Sequence, residues 1–193
     1  MFKQLLWIVF SKNKTQKFLL DKKIKKIILT GPESSGKSTL TQQLAQYFNT
    51  AWVPEFARTY LMDLNRPYRE DDLPRMAKMQ NELEAFLSKK ANRFLFCDTG
   101  FLVFKIWSEV RFGKCDPWIL EQLKKEENVL YILCMPDFTW QPDPLRENPN
   151  DRDQLLKKYQ AELKNYNKKY IQVSGNQKNR LNYSIQSILH FFQ

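Results

Sequence analysis

Short runs of apolar residues alternate along this chain with longer segments in which apolar residues recur every three or four positions. The short runs predict five buried strands, at residues 27–30, 51–53, 93–97, 129–134 and 170–173. The longer segments predict helices at residues 38–48, 56–63, 72–90, 101–111, 151–165 and 182–192, and one more after the Asp116-Pro117 pair. Because strands this apolar are buried on both faces, the alternation indicates an α/β fold with a parallel sheet between helices.

The helix predicted over 72–90 has one clearly apolar face. Met76, Met79, Leu83, Phe86 and Leu87 recur at helical spacing. We therefore predict that these five side chains face the hydrophobic core.

Composition excludes several classes of protein. The 193 residues suffice for one domain with a continuous core, and 42% hydrophobic and 27% charged residues are typical of a globular chain. The apolar run near the start, residues 5–10, is far shorter than the ~18 residues of a membrane-spanning helix. Three cysteines without a CxxC pair argue against a disulfide framework or zinc site and favour the reducing cytoplasm. The single histidine, His190, argues against a Ser-His-Asp triad.

The net charge of +10 is concentrated at one end of the chain. Residues 1–25 hold seven lysines and one aspartate, a net charge of +6, which leaves +4 for residues 26–193. We therefore predict a basic N-terminal extension over 1–25, helical or frayed, or alternatively a helix that binds a membrane surface or a partner. Since the remaining domain is only mildly basic and shows no base-reading module, we expect no nucleic-acid partner.

The most specific motif is a phosphate-binding loop. Residues 31–38 match G-x-x-x-x-G-K-[ST], and they follow a predicted strand and open a predicted helix, as the motif requires. In such a loop Lys37 contacts the β- and γ-phosphates of ATP and the Ser38 hydroxyl ligates Mg²⁺. The alternative is a glycine-rich turn that caps the helix. The residues predicted to bind ATP are Gly31, Pro32, Glu33, Ser34, Ser35, Gly36, Lys37, Ser38 and Thr39.

Two further strands end in residues suited to the same chemistry. Asp98 ends the third strand, where it could hold Mg²⁺ or, alternatively, cap the following helix. Glu55 follows the second strand and could accept the proton of a substrate hydroxyl. Arg58, one turn later, could clamp the substrate or the transferred phosphoryl group. The alternative for Glu55 and Arg58 is an exposed ion pair.

A long charged loop follows the fourth strand, over residues 137–150. Loops of this length in compact domains are often working lids. Arg146 and Arg152 lie in it or beside it, and they could neutralise phosphoryl charge when it closes. The alternative is a solvated surface loop.

With these motifs in place, the chain resembles the nicotinamide riboside kinase domain of NadR-type proteins, which belongs to the P-loop kinase folds. The resemblance rests on GPESSGKSTL at 31–40, FNT at 48–50, PEFAR at 54–58, CDTGF at 97–101 and the arginine-bearing loop. It implies that ATP phosphorylates the 5′-hydroxyl of the riboside to give the mononucleotide. The family usually reads W-E-Y-x-R-E where this chain has residues 54–59, and often D-T-D where it has 98–100. An aromatic residue and two carboxylates of the family are therefore missing here.

We predict a P-loop domain over 26–193 with a five-stranded parallel sheet in the order 2-3-1-4-5 and a lid loop. Its predicted function is that of a cytoplasmic, ATP- and Mg²⁺-dependent nucleoside kinase acting on nicotinamide riboside. The alternatives are a kinase for another nucleoside and a P-loop ATPase or switch without a small-molecule acceptor. Either Glu55 or Asp98 could be the general base; if Asp98 serves Mg²⁺, the role falls to Glu55. The sequence leaves the acceptor's base and the oligomeric state open.

Overall fold

A central parallel sheet organises the chain. The computed structural model describes residues 24–147 and 150–193, and the predicted extension lies outside this part except for its last two residues. The strands are β1 Lys25–Thr30, β2 Trp52–Val53, β3 Phe94–Asp98, β4 Leu130–Cys134 and β5 Lys169–Val173. The helices are α1 Lys37–Tyr47, α2 Phe56–Asp63, α3 Asp72–Ser88, α4 Phe101–Phe112, α5 Pro117–Lys125, α6 Arg152–Asn165 and α7 Gln177–Phe191.

The sheet has the predicted topology. Its strands are all parallel and lie in the order β2-β3-β1-β4-β5. In the central strand, Leu29 is in register with Asp98 of β3 and with Ile132 of β4. The carboxyl ends of β1 and β3 therefore meet at one edge, where open α/β sheets bind their ligands.

Alternate residues of the strands pack against two separate helix layers. Ile28, Cys97 and Tyr131 face the cluster that includes side chains of α2 to α6. Ile27 and Phe96 face the second cluster, which includes side chains of α1 and α7. Both faces of the sheet are covered, as the apolar strands predict.

Local signals set the start of two helices. The Asp116 side chain caps α5 by accepting a hydrogen bond from the amide of Trp118 at 2.8 Å, as the Asp-Pro pair predicts. The Asn176 side chain caps α7 in the same way, from the amide of Asn179 at 2.9 Å. Helix α7 therefore begins at Gln177, five residues before the predicted start. The prediction started too late because the first turn is polar and shows no periodic apolar residues.

The predicted core face of α3 is wrong in part. Met76 is buried, but Met79 and Phe86 are 43% and 54% exposed. The buried face instead includes two polar residues with partners on other elements. The Gln80 side chain accepts a hydrogen bond from the Phe56 amide at 2.8 Å, and Glu84 forms an ion pair with Lys26 of β1. Polar side chains with tertiary partners thus occupy part of the buried face of α3, and Met79 and Phe86 lie outside it.

No helix within the two described ranges is long and apolar enough to cross a membrane.

Candidate active site

A cavity of about 530 Å³ opens at the carboxyl edge of the sheet. Its floor is the phosphate-binding loop, residues 31–39, and Glu55 and Arg58 at the start of α2 form one side. The remaining walls come from one face of α4, from residues 145–147 of the loop after β4, and from α6. The cavity therefore combines residues that are far apart in sequence and that the sheet topology gathers at one edge.

The phosphate-binding loop has the backbone that its glycines predict. Gly31 has φ +130°, and a β-carbon there would lie 2.6 Å from the Cys134 carbonyl oxygen, so only glycine fits. Gly36, the N-cap residue of α1, has φ +80°, a left-handed conformation that favours glycine. The Lys37 ammonium folds back over the loop and donates to the carbonyls of Gly31 at 2.9 Å and Pro32 at 2.8 Å. Its charge thus lies over the cradle where a phosphate would bind.

Asp98 lies at the end of β3, beside this loop. It is buried, and burial raises the pKa of its carboxyl, while the hydrogen bond from Ser38 and the charge of Lys37 lower it. Within the described residues its Oδ1 has no hydrogen-bond partner. Gly100 is the N-cap residue of α4 and no side chain caps that helix, so the structure does not support a capping role for Asp98.

Ser38 and Asp98 fit a magnesium ion. A hydroxyl next to a buried carboxylate with an unused oxygen is the hard-oxygen donor set that Mg²⁺ prefers. In the described part of the chain, no group of three or more His, Cys, Asp or Glu side chains could hold a metal alone. A nucleotide phosphate and water would therefore complete the coordination shell.

Glu55 precedes α2 and is only half-buried, yet its carboxyl is perturbed. Its pKa is raised, first by desolvation in the cavity and then by the negative charge of Asp98, against the opposing charges of Lys37 and Arg58. The guanidinium of Arg58 forms its ion pair with Asp143 in the loop after β4. The exposed Glu55–Arg58 pair considered from the sequence is therefore not formed, and Glu55 faces the cavity.

The loop after β4 lies over the phosphate-binding loop. The Gln141 amide donates to the Ser34 hydroxyl at 3.1 Å, and the Glu147 amide donates to the Glu33 carboxylate at 3.1 Å. On the other side, the Tyr68 hydroxyl donates to the Glu147 carboxylate at 2.7 Å. The segment 137–147 is therefore docked on its neighbours at both ends, and we call it the lid.

Arg146 lies in the lid, whereas Arg152 lies outside it, in α6. Arg146 lines the cavity and donates to the Gln141 carbonyl. Arg152, the first residue of α6, does not line the cavity; its guanidinium donates to the Phe138 carbonyl at 2.9 Å. Both lie near the Trp140 ring, at 5.9 and 5.7 Å from its centroid.

Two features of the site were missed in the sequence. One is an apolar and aromatic wall, formed mainly by Val103, Trp107 and Val110 of α4 and Tyr159 of α6. The helical spacing of the first three could have indicated a shared face. The other is Arg180 of α7, which is 2% exposed and donates to the Ser35 carbonyl of the phosphate-binding loop at 2.7 Å. No local pattern marks it, because the contact spans 145 residues.

The strand order, the phosphate-binding loop between β1 and α1, and the acidic end of β3 define a P-loop domain. The family model described as AAA domain matches residues 26–180, and the chain belongs to this family.

The comparisons also confirm the resemblance to NadR-type proteins. The trifunctional NAD biosynthesis/regulator protein NadR of Salmonella typhimurium is 28% identical over 127 residues, covering 64% of this chain and 31% of that protein. This chain thus spans about a third of the length of the curated relatives it matches. A crystal structure of NadR protein in complex with NR superposes with a TM-score of 0.69 at 21% identity, covering 87% and 51% of the two chains. Deoxyadenosine kinase from M. mycoides gives 0.60 at 14%, covering 86% and 99%.

Proposed function

We propose that this protein is an ATP-dependent kinase that phosphorylates the 5′-hydroxyl of a nucleoside, with nicotinamide riboside as its acceptor. One observation carries the proposal. A single cavity holds Lys37 and Ser38 at one end, Glu55 at its side and an apolar, aromatic wall beyond. A nucleotide phosphate and a flat heterocycle can therefore bind in the same cavity, as transfer between them requires.

The residues of the cavity divide the work of phosphoryl transfer. Lys37 and the backbone N–H groups of the phosphate-binding loop, in which Pro32 has none, bind the β- and γ-phosphates. Ser38 and Asp98 would hold Mg²⁺, which when bound neutralises charge on the phosphate oxygens. Glu55 orients the acceptor hydroxyl and takes its proton, because Asp98 is committed to the cation and a metal-bound carboxylate is a poor base.

Arginines supply the remaining positive charge. Arg58 and Arg146 both line the cavity, one from α2 and one from the lid. We assign them to the charge that develops on the transferred phosphoryl group. Arg152 lies outside the cavity in this conformation, so we assign it to the lid, whose Phe138 carbonyl it holds. A closure that brings Arg152 inward during the reaction stays a prediction.

The aromatic wall of the cavity suits an acceptor nucleoside with an aromatic nucleobase. This chain has Pro54 where NadR-type kinases usually carry a tryptophan, but Trp107 and Tyr159 line the cavity from other elements. Their ring faces attract a flat cation such as the pyridinium of nicotinamide riboside. The NadR resemblance supports the same acceptor. We also propose a cytoplasmic location, where the free thiols of Cys97, Cys115 and Cys134 stay reduced.

A panel of nucleosides tests the proposal. Nicotinamide riboside, adenosine, deoxyadenosine, cytidine and uridine are each incubated with Mg²⁺ and ATP, and ADP and the 5′-phosphate are quantified by chromatography. We expect phosphate transfer to nicotinamide riboside above all others and none with Lys37→Ala, whose fold is checked by circular dichroism. Faster phosphate transfer to another nucleoside would support a kinase but contradict nicotinamide riboside as its acceptor. ADP release at the same rate with and without every nucleoside supports an ATPase or switch and overturns the kinase.

A further inference from the structure

Arg180, far in sequence from the motifs that bind phosphate, is buried and has a buried hydrogen bond to the phosphate-binding loop. Its guanidinium donates to the carbonyls of Ser35 at 2.7 Å, Met135 at 2.8 Å and Gly175 at 2.9 Å, and it pairs with Asp137. These groups come from the phosphate-binding loop, the segment after β4 and the loop before α7. One side chain thus joins three segments that are separate in sequence.

The contact with Ser35 fixes a particular peptide unit. In a trans peptide the C=O and the following N–H point in opposite directions. Because Arg180 holds the Ser35 carbonyl on the α7 side, the Gly36 N–H is turned away from α7. That N–H is one of the loop amides that a bound phosphate needs.

A second contact reaches the same peptide unit through Phe138. The guanidinium of Arg180 lies 4.2 Å from the centroid of the Phe138 ring. The Cδ2–Cε2 edge of that ring lies against Gly36, where an added β-carbon would lie 2.8 Å from Cε2. Phe138 is the second residue of the lid, so Arg180 contacts both the phosphate-binding loop and the base of the lid.

We propose that Arg180 is a positioning residue for the nucleotide: it sets the orientation of the Ser35–Gly36 peptide and joins the base of the lid to the phosphate-binding loop. This rests on the proposed function only in that the loop binds a nucleotide. Arginine suits the task because its planar group presents five donors in a fixed geometry, which lysine cannot reproduce.

The test measures ADP affinity by calorimetry for wild type, Arg180→Met and Arg180→Lys, without acceptor. Lys178→Met is the matched control, because it removes the same charge from an exposed position in the first turn of α7. We expect ADP to bind at least tenfold more weakly to Arg180→Met, several-fold more weakly to Arg180→Lys, and unchanged to Lys178→Met. In turnover, KM for ATP should rise while KM for the acceptor stays constant.

A purely structural role predicts a different pattern. Each folded variant would then melt at a lower temperature but bind ADP with wild-type affinity, which overturns the proposal; equal weakening by Lys178→Met would also overturn it, since only charge would then matter. If Arg180→Met does not fold, Arg180→Lys decides by the same criteria. Because ADP binding is measured without acceptor, failure of every nucleoside to be phosphorylated by wild type refutes the proposed kinase and leaves this test standing.

Discussion

The Arg58 guanidinium of α2 forms an ion pair with the Asp143 carboxylate of the lid. The residue expected to clamp the phosphoryl group is therefore also a contact that holds the lid down. Since Arg58 is half exposed, the pair contributes little to global stability. The pair instead helps to fix the position of the lid.

The first prediction concerns this pair. Asp143→Asn should raise KM for the acceptor by a factor of up to about five, because partly exposed ion pairs contribute about 0.2–1 kcal/mol. The difference from wild type should shrink in 1 M salt, where such charges are screened. Steady-state kinetics at two salt concentrations measure both effects. Asp153→Asn, at an exposed site in the first turn of α6, is the control. A loss of a hundredfold or more in kcat would mean that Asp143 takes part in the chemistry.

The second prediction concerns the base. Glu55→Gln should lower kcat by about 10²–10⁴-fold while leaving ADP affinity nearly unchanged. The pKa of Glu55 is raised above its ordinary 4.5, so wild-type kcat should fall as pH drops through that raised value and the carboxylate takes up its proton. The variant should lack this acidic limb. Rates measured from pH 5 to 9 test it, with the exposed Glu82→Gln as control. A variant that retains the limb would assign it to another group.

A third prediction separates Asp98 from Glu55. Asp98→Asn should shift the Mg²⁺ dependence of kcat to higher concentration, because it removes a carboxylate oxygen that fits the ion. Glu55→Gln should leave that dependence unchanged. Titration of Mg²⁺ at saturating ATP compares the two. If Glu55→Gln turns over normally and Asp98→Asn is inactive at every Mg²⁺ concentration, the roles are reversed and Asp98 is the base.

The fourth prediction concerns the aromatic wall. Trp107→Leu should raise KM for the acceptor by about 3–10-fold, the loss of one stacking contact, and leave KM for ATP unchanged. The control is Trp118→Leu, because Trp118 packs against Phe101 and does not line the cavity. If both substitutions raised KM for the acceptor and KM for ATP equally, the cause would be a general loss of packing and not a loss of acceptor recognition.

The fifth prediction concerns Asp72, the first residue of α3. Asp72 is buried and accepts hydrogen bonds from Arg66 at 2.7 and 2.9 Å, Tyr60 at 2.7 Å and the Arg69 amide at 2.7 Å. These donors, Arg66 above all, hold the pKa of the Asp72 carboxyl well below its usual range. A lowered pKa stabilises the fold above the unfolded-state pKa, near 3.8, and this contribution is lost as pH falls below that value.

Asp72→Asn should therefore reduce the free energy of unfolding by about 1–2 kcal/mol at pH 7. This value is at the lower end of the range for hydrogen bonds to charged groups, because Arg66 is partly exposed. The difference from wild type should diminish as pH falls below about 4. Urea unfolding at pH 7 and at pH 3 measures both values. A difference that is the same at the two pH values would show that the charge of Asp72 is not its cause.

Much of the fold was predictable because its signals are local. The strands are nearly continuous apolar runs, and the Gly31–Ser38 motif carries its own turn chemistry. Asp98 and Glu55 could be placed at the site because the carboxyl ends of parallel strands share one edge. These inferences need only residues close in sequence and the geometry of a parallel sheet.

The rest depends on contacts between distant segments. The sequence predicts Met79 and Phe86 in the core, but both are exposed. Gln80 and Glu84 are buried instead, because they have partners on α2 and β1. Arg180 becomes part of the site only when α7 packs beside the phosphate-binding loop. Arg152 lies outside the cavity because its guanidinium is held by the Phe138 carbonyl. A periodic pattern contains none of this information.

The docking of the lid gives the variable part of the phosphate motif a second use. Glu33 and Ser34 occupy positions that the motif leaves free, yet both accept hydrogen bonds from lid amides. An engineer who grafts the lid of another P-loop kinase onto this scaffold would therefore have to transplant residues 33 and 34 with it. The two segments, more than a hundred residues apart in sequence, therefore have to match each other.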